Sequence, residues 1–333
     1  MGCTACHLGN SGASGKGEAH VNLVARPSAM HQTYCGGCHG TVSADHSTSL
    51  HADLKGYYRR IELRLGYSIA GDQDLVEKFD EECGKCHASC GQCHVSRPVS
   101  VDGGFINGHN FLGEPSMKEN CTACHGSRVG AEYFGENAGI KADVHWIPNV
   151  KRCSFCHDAA AMHGSSPGAD YRYNDLDMVR CEDCHATVSD ANSYHQVHWG
   201  DLSCQVCHSQ PYKNCNSCHT GGEGITGSSY ITFKIGKNPL DVPHRTYKYV
   251  TVRHIPIAPD TYASWGISDL PNYNAEPTWK YATPHNIQRW TDQTDNSGGG
   301  ACFEKCHDSD YYLTLDDLQP YETEANRDIV MGN

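Results

Sequence analysis

The sequence predicts a fold of mostly irregular chain with short α-helices and few short strands, and three observations carry that expectation. Only 38% of the 333 residues are hydrophobic and the mean hydropathy is −0.57, thin for a conventional core of this length. The 34 glycines and 14 prolines suit loops and short helical turns better than long regular elements. All 20 cysteines fall into short paired units, each ending in histidine, spread along the whole chain.

Nine of these units read C-x-x-C-H: Cys3–Cys6–His7, Cys35–Cys38–His39, Cys83–Cys86–His87, Cys90–Cys93–His94, Cys121–Cys124–His125, Cys153–Cys156–His157, Cys181–Cys184–His185, Cys204–Cys207–His208 and Cys215–Cys218–His219. A tenth is stretched by one residue, "CFEKCH", Cys302–Cys306–His307. Two cysteines followed directly by histidine form the attachment signature of c-type haem. The thiols add across the vinyl groups of one porphyrin, and the adjoining imidazole becomes the proximal iron ligand. A tetrahedral zinc needs two cysteine pairs, or one pair with H-x-x-x-H. A redox dithiol needs one pair and no histidine, and a disulfide framework does not space cysteines in strict pairs. Ten covalently attached haem c groups are therefore expected, and the chain reads as a multihaem cytochrome. The longer tenth linker is expected to bulge so that both sulfurs reach the vinyl positions. With 333 residues for ten units, about 33 per haem, the porphyrins themselves are expected to be the apolar interior, wrapped by the polypeptide around a closely packed array.

The chain divides accordingly. Residues 1–82 carry two units and a ligand-bearing connector, in which "LVEKFDEE" has the apolar spacing of a short amphipathic helix. Residues 83–219 carry seven units and are the dense segment. It opens on "CGKCHASCGQCH", where His87 and His94 are seven residues apart. Their Cα atoms lie at most about 25 Å apart when extended and about 10 Å apart when helical. The spacing forces neighbouring porphyrins into near contact, and "CQVCHSQPYKNCNSCH" does the same with a longer connector. Residues 220–301 lack cysteine, and "YITFKI" and "YKYVTVRHIPI" have the β-branched and aromatic content of strands. This segment is expected to be a wrapping arm that donates distal histidines, the alternative being a small β domain with incidental ones. Residues 302–333 hold the last unit and an acidic tail.

Histidine count bears on the sixth position of each iron. Of 22 histidines ten belong to the units, leaving His20, His31, His46, His51, His109, His145, His163, His195, His198, His244, His254 and His285. Twelve candidates for ten positions is a surplus of two, so every haem can be closed by two imidazoles. "VHW" precedes a unit twice, at His145 and His198, and His31 stands just ahead of Cys35. The echoes "CGGCHGTVSAD" and "CEDCHATVSDA" lead to His46 and His195, and His195 and His198 share a helix face if that segment is helical. Methionine is the other possible ligand, but Met162 stands beside His163, and the chain has six methionines in all. Bis-imidazole iron stays low-spin and passes electrons at a lower potential than Met/His iron. No catalytic residue is expected.

The net charge of −13 disfavours nucleic acid and is compatible with cationic or metal-bearing partners. No secretory signal is present and no apolar run approaches membrane-spanning length. Covalent haem attachment takes place outside the cytoplasm, so export is expected, with Met1 not the start of the precursor.

On these units, and above all on "CGKCHASCGQCHVSRP" and "CTACHGSRVGAEYFGEN", the chain resembles the multihaem c-type cytochromes of metal-reducing and electrode-respiring microbes, especially their extracellular members. The resemblance covers the whole chain through the units. It implies an extracellular or cell-surface electron carrier whose partners are other redox cytochromes, metal oxides or electrodes. In several such cytochromes the subunits self-assemble into a homopolymer, a nanowire filament with haems continuous from subunit to subunit. In some, a histidine of one subunit ligates a haem of the next, for which His20 or His285 would be candidates here. Multihaem nitrite and hydroxylamine-type enzymes are similar in motif density, but their active haem has an unusual proximal residue, and all ten units here end in histidine. Decahaem conduits that thread an outer-membrane barrel are nearer in length and haem count. The leading expectation is a filament subunit for extracellular electron transfer. A periplasmic or barrel-inserted conduit comes second, and a reductase with one open haem third.

Overall fold

The computed structural model describes residues 2–84, 88–95, 111–164, 169–174, 178–215, 229–299, 302–307 and 310–332. Most of this chain is turn and irregular segment, punctuated by helices of four to seven residues and a few strands of three to six. Many of the helical turns coincide with the cysteine units, as at Thr4–His7, Cys90–His94, Cys153–Cys156, Cys181–Cys184 and Cys204–His208. The stretched unit does not bulge: Cys302–His307 is one helical stretch. Positions i and i+4 share a helix face just as i and i+3 do, so the helix absorbs the extra residue.

The two longest helices among the described residues are α1 (Lys55–Leu65) and α2 (Gln73–Glu82). Ile61 and Leu65 on α1 and Leu75 and Phe79 on α2 stand four apart, which puts each pair on one face, and all four are buried. Gly66, at φ +79°, ends α1 in the left-handed conformation that a side chain disfavours. The Asp72 carboxylate starts α2 by accepting from the Leu75 N–H at 3.2 Å. Tyr58 stacks on Phe79 at 4.4 Å between ring centres. Ile257, Trp265 and Leu270 close this cluster from the far end of the sequence, and Cys83 packs against it.

The second half is built on strands. β1 (Tyr212–Asn214) pairs antiparallel with β2 (Tyr230–Thr232), Tyr212 opposite Thr232. β3 (Ile235–Lys237), β4 (Tyr249–His254) and β5 (Trp279–Tyr281) form an antiparallel sheet with β4 in the middle, Ile235 opposite Thr251 and Val252 opposite Tyr281. The stretch "YITFKI" is thus two strands in two sheets. The chain changes sheet at Phe233–Lys234, where Tyr212 Oη donates to the Lys234 carbonyl at 3.1 Å and Lys234 Nζ reaches Asp317 at 2.7 Å. Val250, Val252, Trp279 and Tyr281 make a core with Leu313, Leu318, Ile329 and Val330 of the tail. The tail is fastened along β3, with Leu313 N donating to Ile235 O and Lys237 N to Ile329 O. Residues 229–281 and 310–332 therefore fold as one small β unit. No helix among the described residues is long and apolar enough to cross a membrane.

Candidate metal centres

Five histidines that end a cysteine unit each face a histidine that does not. His94 meets His163 at 5.9 Å between ring centres, His125 meets His51 at 6.3 Å, and His157 meets His285 at 6.3 Å. His185 meets His145 at 6.3 Å and His208 meets His195 at 6.1 Å. These separations lie at the long end of ring-to-ring contact, and they share a simple meaning. A metal bonded to one imidazole nitrogen on each side at about 2 Å, with each ring centre about 1 Å behind its nitrogen, holds the centres roughly 6 Å apart. The donor set and the gap both fit a six-coordinate iron between each pair.

The partners come from unexpected distances along the chain. His145 stands eight residues ahead of Cys153 but pairs with the next unit, and His163 follows that unit yet turns back to His94. His285 reaches His157 from the cysteine-free segment, and His51 reaches His125 from the connector. Burial holds His285 down at about 4, with His157 and Arg253 adding to the effect, so its ring is neutral and able to donate a lone pair.

The other ring nitrogen is fixed in several of these histidines. Nδ1 donates to a backbone carbonyl in His7 (Val24, 2.7 Å), His94 (Leu112, 2.8 Å), His208 (Gln288, 3.1 Å), His195 (Val188, 2.8 Å) and His198 (Tyr194, 2.9 Å). A carbonyl can only accept, so the proton sits on Nδ1 and Nε2 carries the free lone pair. In His145 the acceptor is Asp143, 2.9 Å away and 1% exposed, and this hydrogen bond is the main cause that raises the imidazole pKa. Asp143 also accepts from the N–H of Ile287 at 2.6 Å, tying His145 to the segment that carries His285. Asp143 and Glu132, which accepts from the His285 N–H at 2.8 Å, are site residues that the sequence did not single out. The available signal was the Asp two places before His145; the matching place before His198 is Gln196.

Two histidines have the opposite arrangement. His31 Nε2 lies 3.1 Å from both the Ser43 carbonyl and Ser47 Oγ. His254 Nε2 lies 2.9 Å from the buried Glu322 carboxylate, its Nδ1 lies 3.2 Å from Tyr230 Oη, and its ring stacks on Trp279 at 4.7 Å. His31 also meets His46 edge-on at 5.1 Å, and with Cys90 the three offer ligand atoms within 4.8 Å of one another. The ring nitrogens of His244 are buried without a hydrogen-bond partner. His20 and His39 are exposed, and exposed His307 stacks on Phe303 at 4.5 Å. Cys86, His87, His109, Cys218 and His219 lie outside the described residues.

Neighbouring units touch through their cysteines, in chain order. Cys35 hydrogen-bonds Cys90 and lies near enough to Cys6 for the two thiols to interact. Cys93 neighbours Cys121 and Cys124, and Cys121 hydrogen-bonds Cys153. Cys156 neighbours Cys184, and Cys181 hydrogen-bonds Cys204. Cys207 is pushed up to about 12 by burial, then by Cys306 and Cys302 of the last unit. Arg128 Nη2 approaches Cys215 Sγ at 3.0 Å. These contacts link eight units, those that begin at Cys3, Cys35, Cys90, Cys121, Cys153, Cys181, Cys204 and Cys302, into one string. The chain matches no protein-family model, no curated protein and no solved structure.

Proposed function

We propose that the chain is an electron-transfer protein that carries ten covalently attached haem c groups, each closed by two histidines, and that it works outside the cell as the subunit of a filament. The observation that supports this best is the fivefold pairing of a unit histidine with a second histidine at the separation one six-coordinate iron takes up. Haem supplies a one-electron iron couple when bound. The chain's own part is to hold the imidazoles still, and the Nδ1 hydrogen bonds do that by fixing tautomer and ring plane. The string of cysteine contacts supports short steps between successive centres, which a carrier needs and a single-site enzyme does not.

In this assignment His163, His51, His285, His145 and His195 are the distal ligands for the units ending in His94, His125, His157, His185 and His208. His31 and His254, whose Nε2 atoms are engaged by the protein, are the surplus two. His20, His46, His109, His198 and His244 then serve the units ending in His7, His39, His87, His219 and His307. Cys90 belongs to a haem unit in this scheme, so its group with His31 and His46 is not a separate metal site.

The intact mass of protein from an exporting, haem-attaching host should show ten haems, and its ferric spectrum should be entirely low-spin. High-spin iron, or binding of carbon monoxide or nitrite, would move the reductase reading to the front. Electron microscopy of the native, undenatured protein tests assembly. Filaments with an axial repeat of one subunit are expected; discrete monomers, or particles that co-purify with a barrel protein, would favour a conduit.

A further inference from the structure

In a chain of net charge −13, five cations lie close enough to act on one another, and three of them converge on a single carboxylate. Helix α1 brings Arg59, Arg60 and Arg64, the segment near residue 172 brings Arg172, and β5 brings Lys280. Arg60 Nη1 pairs with Oε2 of Glu276, Lys280 Nζ lies 2.7 Å from that same oxygen, and Arg64 Nη1 lies 3.7 Å from it. Three cations thus share one oxygen atom. The guanidiniums of Arg59 and Arg60 lie 4.3 and 5.1 Å from the centre of the Tyr171 ring, and that of Arg172 lies 4.5 Å from Tyr173. The group runs from inside to outside. Arg64 is 2% exposed and its buried Nε has no partner, Lys280 and Glu276 are half-buried, and Arg59 and Arg172 are exposed.

Three acids near this part of the chain among the described residues are engaged elsewhere. Asp53 pairs with Lys55, and Asp170 acts on that same lysine. Glu62 accepts from Ser68 Oγ and from the Ile69 N–H. Glu276 supplies one negative charge to three buried or half-buried cations, an excess that is costly unless something compensates. Guanidinium forks match two oxygens of one planar or tetrahedral group, and aromatic faces beneath them hold the forks apart.

We propose that Arg59, Arg60, Arg64, Arg172 and Lys280 form an anion site that takes an oxyanion group carrying two negative charges. The group comes either from solution, as inorganic phosphate would, or from the paired propionates of a haem on this same chain. The second source rests on the proposed function and the first does not. Calorimetric titration of the intact protein with inorganic phosphate at low salt separates them, with Arg172→Gln as the variant at the exposed mouth and Lys280→Gln as the one at the buried end. Saturable binding that weakens tenfold or more in both variants, and falls as salt rises, establishes the solution anion. No phosphate uptake, with the midpoint potential of one haem lowered in Arg172→Gln and the others unmoved, establishes the propionates. The proposal is overturned if phosphate binds equally in wild type and variants, or if neither phosphate nor any haem responds.

Discussion

His285 and His254 lie on the same half of the chain and face opposite chemical situations. His285 is half-buried, neutral and ring to ring with His157, whereas both nitrogens of His254 are engaged, by Glu322 and Tyr230. On the proposed haem assignment, His285→Ala should open one sixth position, so that one haem turns high-spin and binds carbon monoxide. His254→Ala should leave all ten low-spin and cost stability instead. Ferric electron paramagnetic resonance with a carbon monoxide titration distinguishes the two, and a high-spin signal from His254→Ala would return it to the ligands. Glu322 makes the stability side testable by pH. Burial raises its carboxyl, but hydrogen bonds from His254, Thr278 and the Gln319 N–H outweigh that and hold it below the usual glutamate range. A carboxylate whose folded-state pKa is depressed contributes stability above its unfolded value, near 4.3, and loses it as pH falls through the folded value. Denaturant melts should therefore show Glu322→Gln weaker by roughly 3 kcal/mol at pH 7. That difference should shrink as the wild type is acidified below about pH 4; a difference unchanged by pH would show that the carboxylate charge is not what stabilises the tail.

Elements were legible where their signal is local. The spacing in "LVEKFDEE" identifies α2, and the β-branched runs identify β4, because both patterns express which face is buried. The break of "YITFKI" into β2 and β3 was not legible, since it depends on Tyr212 and Asp317, 22 and 83 residues from Lys234. The cysteine units announced their own histidines. The remaining histidines could only be counted and not paired, because His51–His125 and His157–His285 are brought together by packing that no local spacing encodes. Phe79 tests what that packing depends on. It is fully buried, stacks on Tyr58, and sits in a cluster that joins α1 and α2 to Trp265 and Leu270 and touches Cys83. Phe79→Ala should cost about 3–5 kcal/mol in a denaturant melt, the usual range for an aromatic core truncation. A cost under about 1 kcal/mol, the size of a volume-conserving swap, would mean that the helix pair is not fixed by this cluster.

At the scale of the molecule, many large apolar side chains among the described residues are exposed, and several of them lie beside the cysteine units and their partner histidines. Phe155 and Phe303 lie inside cysteine units and are 55% and 62% exposed. Val197 lies between His195 and His198 at 73%, and Ile147 and Val150 lie between His145 and Cys153 at 59% and 65%. Each stands beside a pair of thiols or a candidate ligand, where a flat apolar porphyrin would cover it. The three buried clusters among the described residues hold the connector and the β unit, and they meet the units only at their margins, through Val206 of the Cys204 unit and through Cys83. If the porphyrins supply the missing interior, the chain made without haem attachment lacks the apolar burial that offsets its conformational entropy. Circular dichroism melts and limited proteolysis of haem-free and haem-loaded protein should then differ in kind. The haem-free chain should show no cooperative transition and be cut throughout residues 83–219, while the loaded chain resists. A cooperative melt in the haem-free chain, with that segment protected, would show that the polypeptide carries its own core and would remove the physical basis for a chain wrapped around its cofactors.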